Sequence, residues 1–415
     1  MARPRFRVAD IFRRHGETYR EANAGHLDRC QRRVMAAIEA CRTAALGGYV
    51  RRCSHCGLTE ISYCSCRDRH CPTCQGSAAH IWLEARQADL LPVEYFHVVF
   101  TLPQQVAAIA YQNKQVVYGL LFEAAAETLK TIAKDPKHLG AEIGFTAVLH
   151  TWGQTLTHHP HVHCIVPGGG LSPDGASWVA CRPGYFLPER VLSTLFRGVF
   201  LGKLVAAHKD GSLQFFSDLA HLAEPRAFPA YLAPIWQLDW VVDCQQPFAG
   251  PEQVLRYLSR YTHRVAISDH RLLEVTDDHV TFRWKDYSDG SRIKLMTLAP
   301  AEFIRRFLLH VLPDGFQRIR HYGFLANGNR AAKLAQIRQL LPPAPQDQVA
   351  PAPQETNTAT TEPECTATPS SDDDDDEQQP ACPECGGEME VIETLPKAAR
   401  PSAHCIDTFH RIDTS

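Results

Sequence analysis

No uninterrupted apolar run in this chain approaches the roughly 18 residues that a bilayer-spanning helix requires. The basic opening Met1-Ala2-Arg3-Pro4-Arg5-Phe6-Arg7 leads into no apolar segment of the kind a secretory signal carries, so a cytoplasmic protein is expected. No segment repeats at a solenoid period. There is no G-x-x-x-x-G-K-[ST] loop to cradle a nucleoside triphosphate, which argues against ATP-driven chemistry and a fused helicase. A reducing compartment also argues against a disulfide framework, although the chain holds 15 cysteines. Their clustering points to metal instead.

With 415 residues, 44% hydrophobic and 21% charged, the chain has the balance of a globular protein of two or three domains. Its net charge of −3 hides an asymmetry. Residues 341–415 hold 3 basic and 16 acidic side chains, leaving 40 basic and 30 acidic in 1–340, a net +10. A basic body with an acidic tail suits a nucleic-acid partner.

Residues 8–46 have helical periodicity, ended by Gly47-Gly48. A Cys-rich knot fills 53–74, and a helix is expected near 76–90. Tyr95–Leu102 is aromatic and β-branched, a strand pattern. Residues 104–135, 188–208 and 252–263 read as helices. Ile143–Trp152 and His161–Val166 read as strands joined by a turn, and 271–298 as short strands. The expected fold is α+β, in four parts: a helical and Cys-rich domain (1–90), a larger domain (91–335) for which the motifs below imply catalysis, an acidic linker (336–380) and a small tail with a further C-x-x-C (381–415). The linker, rich in Pro, Thr, Ser and Gln with the run Asp372–Asp376, has too little apolar surface to order itself.

Cys53 and Cys56 form one C-x-x-C knuckle, and Cys71 and Cys74 a second, with fourteen residues between them. Four thiolates at such spacing suit tetrahedral Zn²⁺, and this set is taken as the zinc site. Cys41, Cys64, Cys66 and His70 remain as further ligands for a second ion. Cys382 and Cys385 form a third knuckle, with His404, Cys405 and His410 as its candidate completions. Arg51, Arg52, Arg67 and Arg69 interleave the knuckles, as phosphate contacts or as a solvated basic face.

His161-Val162-His163 puts two imidazoles on one strand face, since side chains alternate at period two. Such a pair can share a divalent metal. His150, on the preceding strand, would be brought beside it by a hairpin; Gln154 is the competing third ligand. About a hundred residues on, Tyr257 and Tyr261 stand at helical i, i+4 spacing, with Arg256, Arg260 and Arg264 as a basic stripe beside them. A tyrosine flanked by guanidinium groups is placed to meet a phosphate, and tyrosine is a workable nucleophile if a metal polarises the phosphodiester.

The His-hydrophobe-His pair followed by Tyr-x-x-x-Tyr resembles the HUH endonucleases. Together with the knot Tyr63 to Gln75, the chain resembles the two-tyrosine, HUH-type rolling-circle transposases of bacterial insertion sequences, over roughly residues 20–330. The resemblance implies a central antiparallel sheet carrying His161 and His163 as ligands of Mg²⁺ or Mn²⁺, with Tyr257 and Tyr261 as paired nucleophiles. It implies single-stranded DNA at transposon ends and target as substrate, cut and rejoined through 5′-phosphotyrosine. A replication initiator or relaxase would share the chemistry; a non-catalytic zinc regulator would leave the histidine and tyrosine motifs unexplained.

Overall fold

The computed structural model describes residues 4–245, 254, 265–341 and 381–398. Residues 8–46 divide into helices α1 (Val8–Ala22) and α2 (Arg29–Ala40) rather than running on. Asp28 makes the break. Its carboxylate accepts the Gln31 N–H at 2.7 Å while its own N–H donates to the Gln31 side chain at 3.1 Å, a reciprocal cap that starts a new helix. The zinc-domain strands β1 (Gly48–Cys53) and β2 (Thr59–Tyr63) form a hairpin, and α3 (Pro72–Gln87) starts from the second knuckle with proline in its first turn.

The central sheet is built from β3 (Tyr95–Thr101), β4 (Phe145–Trp152), β5 (His158–Pro167), β8 (Val242–Gln245) and β12 (Ile319–Tyr322), in the antiparallel order β12-β4-β5-β3-β8. Between β5 and β8 lie the short pair β6 (Gly169–Leu171) and β7 (Trp178–Ala180); β9 (Leu272–Val275), β10 (Val280–Asp286) and β11 (Arg292–Leu298) make a separate meander. Alternation sends Phe96, Val98 and Phe100 of β3, Phe145, Ala147 and Leu149 of β4, and Val162, Cys164 and Val166 of β5 into one core. Helices α4 (Gln104–Gln112), α5 (Lys114–Lys134) and α6 (Glu189–Lys209) cover that face. Among the described helices only α6 is long and apolar enough to cross a membrane, and its Leu192, Phe196, Phe200 and Leu204 pack into this core. The short α7 (Ala227–Leu232) adds Phe228 and Leu232.

A second core ignores the boundary expected at residue 90. It joins Val8, Ile11 and Phe12 of α1, Val34 and Ile38 of α2, and the knuckle cysteines Cys41, Cys71 and Cys74 to Ile267, Phe282 and α8 (Pro300–Leu309). Phe12 and Phe307 meet edge to face at 5.3 Å. A smaller cluster seats α9 (Arg330–Leu340) through Leu334 and Ile337. Nor is the tail separate: β13 (Met389–Leu395) is hydrogen-bonded to β1, giving the sheet order β13-β1-β2.

Candidate metal centres

The other face of the central sheet carries the histidines. In the β4–β5 register His150 lies opposite His161 and Val148 opposite His163, so a hairpin delivers three imidazoles to one patch. Their ring centroids lie 4.4 Å (His150–His163), 4.8 Å (His161–His163) and 5.5 Å (His150–His161) apart. One nitrogen from each lies within 4.8 Å of the others, close enough for one metal ion. The pairing slips between His150 and Trp152, where Pro160, which has no N–H to give a ladder, sits in the irregularity. At the hairpin turn Leu156 adopts φ +61° and is fully buried in the second core, which anchors the histidine-bearing strands against the zinc-domain helices. Gln154, the competing ligand, instead lies 3.4 Å from the Tyr287 hydroxyl on the exposed side of that turn.

Hydrogen bonds decide which nitrogen His161 and His163 offer. His161 Nδ1 lies 2.7 Å from the His159 carbonyl oxygen, an acceptor only, so Nδ1 carries the proton and Nε2 the lone pair. For His163 the decision comes from a relay that sequence reasoning missed. The Gln245 amide nitrogen donates to Asp243 at 3.0 Å, which turns its oxygen toward His97. That oxygen accepts from His97 Nδ1 at 2.9 Å, so His97 Nε2 must accept from His163 Nδ1, 2.7 Å away. His163 is left with its lone pair on Nε2, the ligand form. Burial pushes the His97 pKa down to about 4, which keeps its ring in the neutral form the relay requires.

Tyr257, Tyr261, Arg256, Arg260 and Arg264 lie outside the described residues. Val254, three positions before Tyr257, packs with Tyr95 and Ile165. By strand alternation Ile165 shares its sheet face with His161 and His163.

The cysteines correct the sequence expectation. Cys53, Cys56, Cys71 and Cys74 do not make one site; the two knuckles lie in different clusters. Cys71 and Cys74 join Cys41 and Cys66, with sulfur separations of 3.5 Å (Cys41–Cys74), 3.6 Å (Cys66–Cys74) and 3.7 Å (Cys41–Cys71). Cys53 and Cys56 join Cys382 and Cys385. The reason is geometric: β1 carries its knuckle away along the hairpin, while the end of α2 brings Cys41 to the start of α3. Hydrogen bonds among the four draw the Cys74 thiol well below its ordinary range and push Cys66 and Cys71 above theirs, as expected of thiols crowded around one point. Four thiols around one point fit structural zinc.

Two neighbours prove structural. Arg69, a candidate phosphate contact from its place between the knuckles, turns inward to donate to the carbonyls of Phe316 (2.5 Å) and Pro313 (2.8 Å). His70 is no zinc ligand in either cluster: its Nδ1 faces Asp68 at 3.1 Å and its Nε2 accepts the Leu312 N–H at 3.2 Å. Arg67 remains exposed, with φ +53°.

Comparison with known proteins agrees with this anatomy. A family described as "Transposase zinc-binding domain" matches residues 11–102, and one described as "Putative transposase" matches 144–333, which spans the three histidines and the tyrosine segment. The chain is 64% identical over 354 residues to "Putative transposase y4qJ" of Sinorhizobium fredii, covering 85% of this chain and 89% of the relative. It is 27% identical over 312 residues to "Transposase for insertion sequence element IS801" of Pseudomonas savastanoi pv. phaseolicola, covering 74% of this chain and 73% of that one. Similarity of this extent, running through both the zinc-binding and the histidine-bearing regions, places the chain in a family: it belongs to the IS91-type transposases with an N-terminal zinc-binding domain.

Proposed function

We propose that this transposase cuts and rejoins single-stranded DNA at the ends of its mobile element by a rolling-circle route, using Tyr257 and Tyr261 as nucleophiles beside a metal held by His150, His161 and His163. The observation that carries the reading is the convergence of three imidazoles on one sheet face, two of them in the tautomer that offers Nε2. An all-imidazole donor set fits Mn²⁺ better than Mg²⁺, which prefers oxygen ligands. The bound ion would polarise the scissile phosphate and stabilise the leaving oxygen.

In the proposed reaction the tyrosine hydroxyl gives up its proton to solvent as its oxygen attacks phosphorus, a P–O bond to tyrosine forms, and the P–O3′ bond breaks. The 3′ oxygen leaves and takes up a proton as a free hydroxyl, while the 5′ end stays on the protein. One phosphodiester is exchanged for another, so attack by a 3′ hydroxyl on the phosphotyrosine reseals DNA without a nucleotide cofactor. The paired tyrosines allow two such transfers, and Arg256, Arg260, Arg264 and the exposed Arg67 supply charge for phosphates.

The test is a covalent adduct. Incubated with single-stranded transposon-end oligonucleotides and Mn²⁺, the protein is expected to give a shifted band on denaturing gels. Tyr257→Phe with Tyr261→Phe should abolish it, and His161→Ala should abolish cleavage while leaving DNA affinity within a few-fold, because affinity comes mainly from backbone charge contacts. A band that survives the double tyrosine change refutes the assignment.

A further inference from the structure

The knuckle at Cys53 and Cys56 finds its partner 326 residues further on. Cys53 Sγ lies 3.4 Å from Cys385 Sγ, and Cys56 Sγ lies 3.6 Å from Cys382 Sγ. All four sulfurs fall within 4.8 Å of one another. Sulfurs at the corners of a tetrahedron around zinc, each about 2.3 Å from the ion, would be about 3.8 Å apart. A disulfide needs about 2.05 Å. The spacing is that of a shared cation.

The two knuckles are also built alike. Cys53-Ser54-His55-Cys56-Gly57 and Cys382-Pro383-Glu384-Cys385-Gly386 each close on a glycine of positive φ, +75° at Gly57 and +72° at Gly386. In each the glycine N–H donates to the carbonyl of the first cysteine, at 3.1 Å and 2.8 Å. In each the first cysteine's N–H donates to a carbonyl two positions past the second, from Leu58 at 2.8 Å and Gly387 at 2.7 Å. Backbone N–H groups of His55 and Cys56 point at Cys53 Sγ from 3.4 and 3.5 Å, where they would offset thiolate charge. Beyond the knuckles, six residue pairs join β13 to β1, from Gly48–Leu395 to Cys53–Met389.

We propose that Cys53, Cys56, Cys382 and Cys385 bind a second zinc ion, and that this ion fastens the C-terminal segment to the zinc-binding domain as the edge strand of its sheet. The family match to that domain covers residues 11–102, so it includes the first half of this ligand set and not the second. On binding, the four thiols give up their protons to solvent and the ion takes four sulfur ligands, with no change of oxidation state. The site closes the chain into a ring: residues 57–381 become a loop pinned at both ends. It also differs from its neighbour in access. Cys56 and Cys385 are exposed, whereas Cys41, Cys71 and Cys74 are buried and Cys66 is partly covered.

The test uses the full-length chain, purified under reducing conditions. Metal analysis should find two zinc ions per chain, and Cys382→Ser with Cys385→Ser should leave one. With cobalt in place of zinc, the sulfur-to-metal absorption of that variant should fall by half. Because a variant can fail to fold, alkylation of the unaltered protein gives an independent reading. Cys53, Cys56, Cys382 and Cys385 should resist a thiol reagent until chelator is added, then react together and before Cys41, Cys66, Cys71 and Cys74. Two zinc ions retained by the double serine variant, Cys382 and Cys385 reacting without chelator, or iron in place of zinc would each overturn the proposal.

Discussion

Removing the acceptor at His97 should weaken metal binding without touching a ligand. His97→Phe keeps a flat ring of similar size but offers nothing to His163 Nδ1, now 2.7 Å from the His97 nitrogen. A buried donor left without its acceptor costs about 1–3 kcal/mol. His163 can recover that loss by rotating or by moving its proton to Nε2, and either escape removes the lone pair from the ion. The penalty should therefore appear as metal affinity, on the order of 10–100-fold, or about 1.4–2.7 kcal/mol, the range typical of partners that orient a metal-bound histidine. His97→Gln, whose side-chain oxygen can accept the same proton, should restore most of the affinity. Gln245→Ala, one link further out and exposed, should cost less than His97→Phe. Titrating Mn²⁺ and following the paramagnetic resonance of unbound ion measures this directly, with a thermal melt to establish that each variant is folded. A folded His97→Phe protein that binds Mn²⁺ as tightly as the unaltered chain would refute the relay, and so would a His97→Gln protein no better than the phenylalanine variant.

Two further outcomes follow from buried groups. Burial pushes His158 and His310 down to about 3 each, and the unfolded chain titrates near 6.5, so their neutral forms favour the fold. Stability from them is complete above about pH 6.5 and is lost as pH falls toward 3, with a slope of up to about 1.4 kcal/mol per pH unit for each histidine. The melting temperature should drop steadily from pH 6.5 to 4, and less steeply in His310→Gln; parallel curves for the two proteins would refute this. Asp269, buried between segments, accepts the Val8 N–H at 2.9 Å and the Thr73 hydroxyl at 3.0 Å. Asp269→Ala should cost about 2–3 kcal/mol in denaturant unfolding by orphaning both donors, and an unchanged midpoint would contradict that role.

What could be read from the sequence was whatever the chain encodes locally. His-x-His on a strand and a histidine on its hairpin partner require only period-two alternation and a short turn, whereas the choice between His150 and Gln154 needs the register that pairs His150 with His161. The zinc ligands are legible as residue types but not in their grouping. A C-x-x-C motif fixes its own two sulfurs and says nothing about which distant pair completes the tetrahedron. Nine cysteines at 41, 53, 56, 64, 66, 71, 74, 382 and 385 are more than one site needs, and the count does not say which of them pair. His97 gave a weaker sign: one imidazole in the apolar run Tyr95–Leu102 reads as a satisfied core residue until the register with β5 sets it beside His163. Arg69 failed for a related reason, since charge in sequence does not reveal that the carbonyls of Pro313 and Phe316 await a donor.

The second core has a consequence for how such a protein could be remade. Because α1, α2 and the knuckle cysteines share their apolar contacts with Ile267, Phe282 and Phe303, the zinc-binding end is not a cassette. Exchanging residues 1–90 between relatives would set one lineage's Phe12 and Ile38 against another's Phe307 and Ile304, and the mismatch would fall on the stretch that follows the tyrosine segment. Changes in the zinc-binding end of this lineage would then have to evolve by paired substitutions across that seam rather than by shuffling modules.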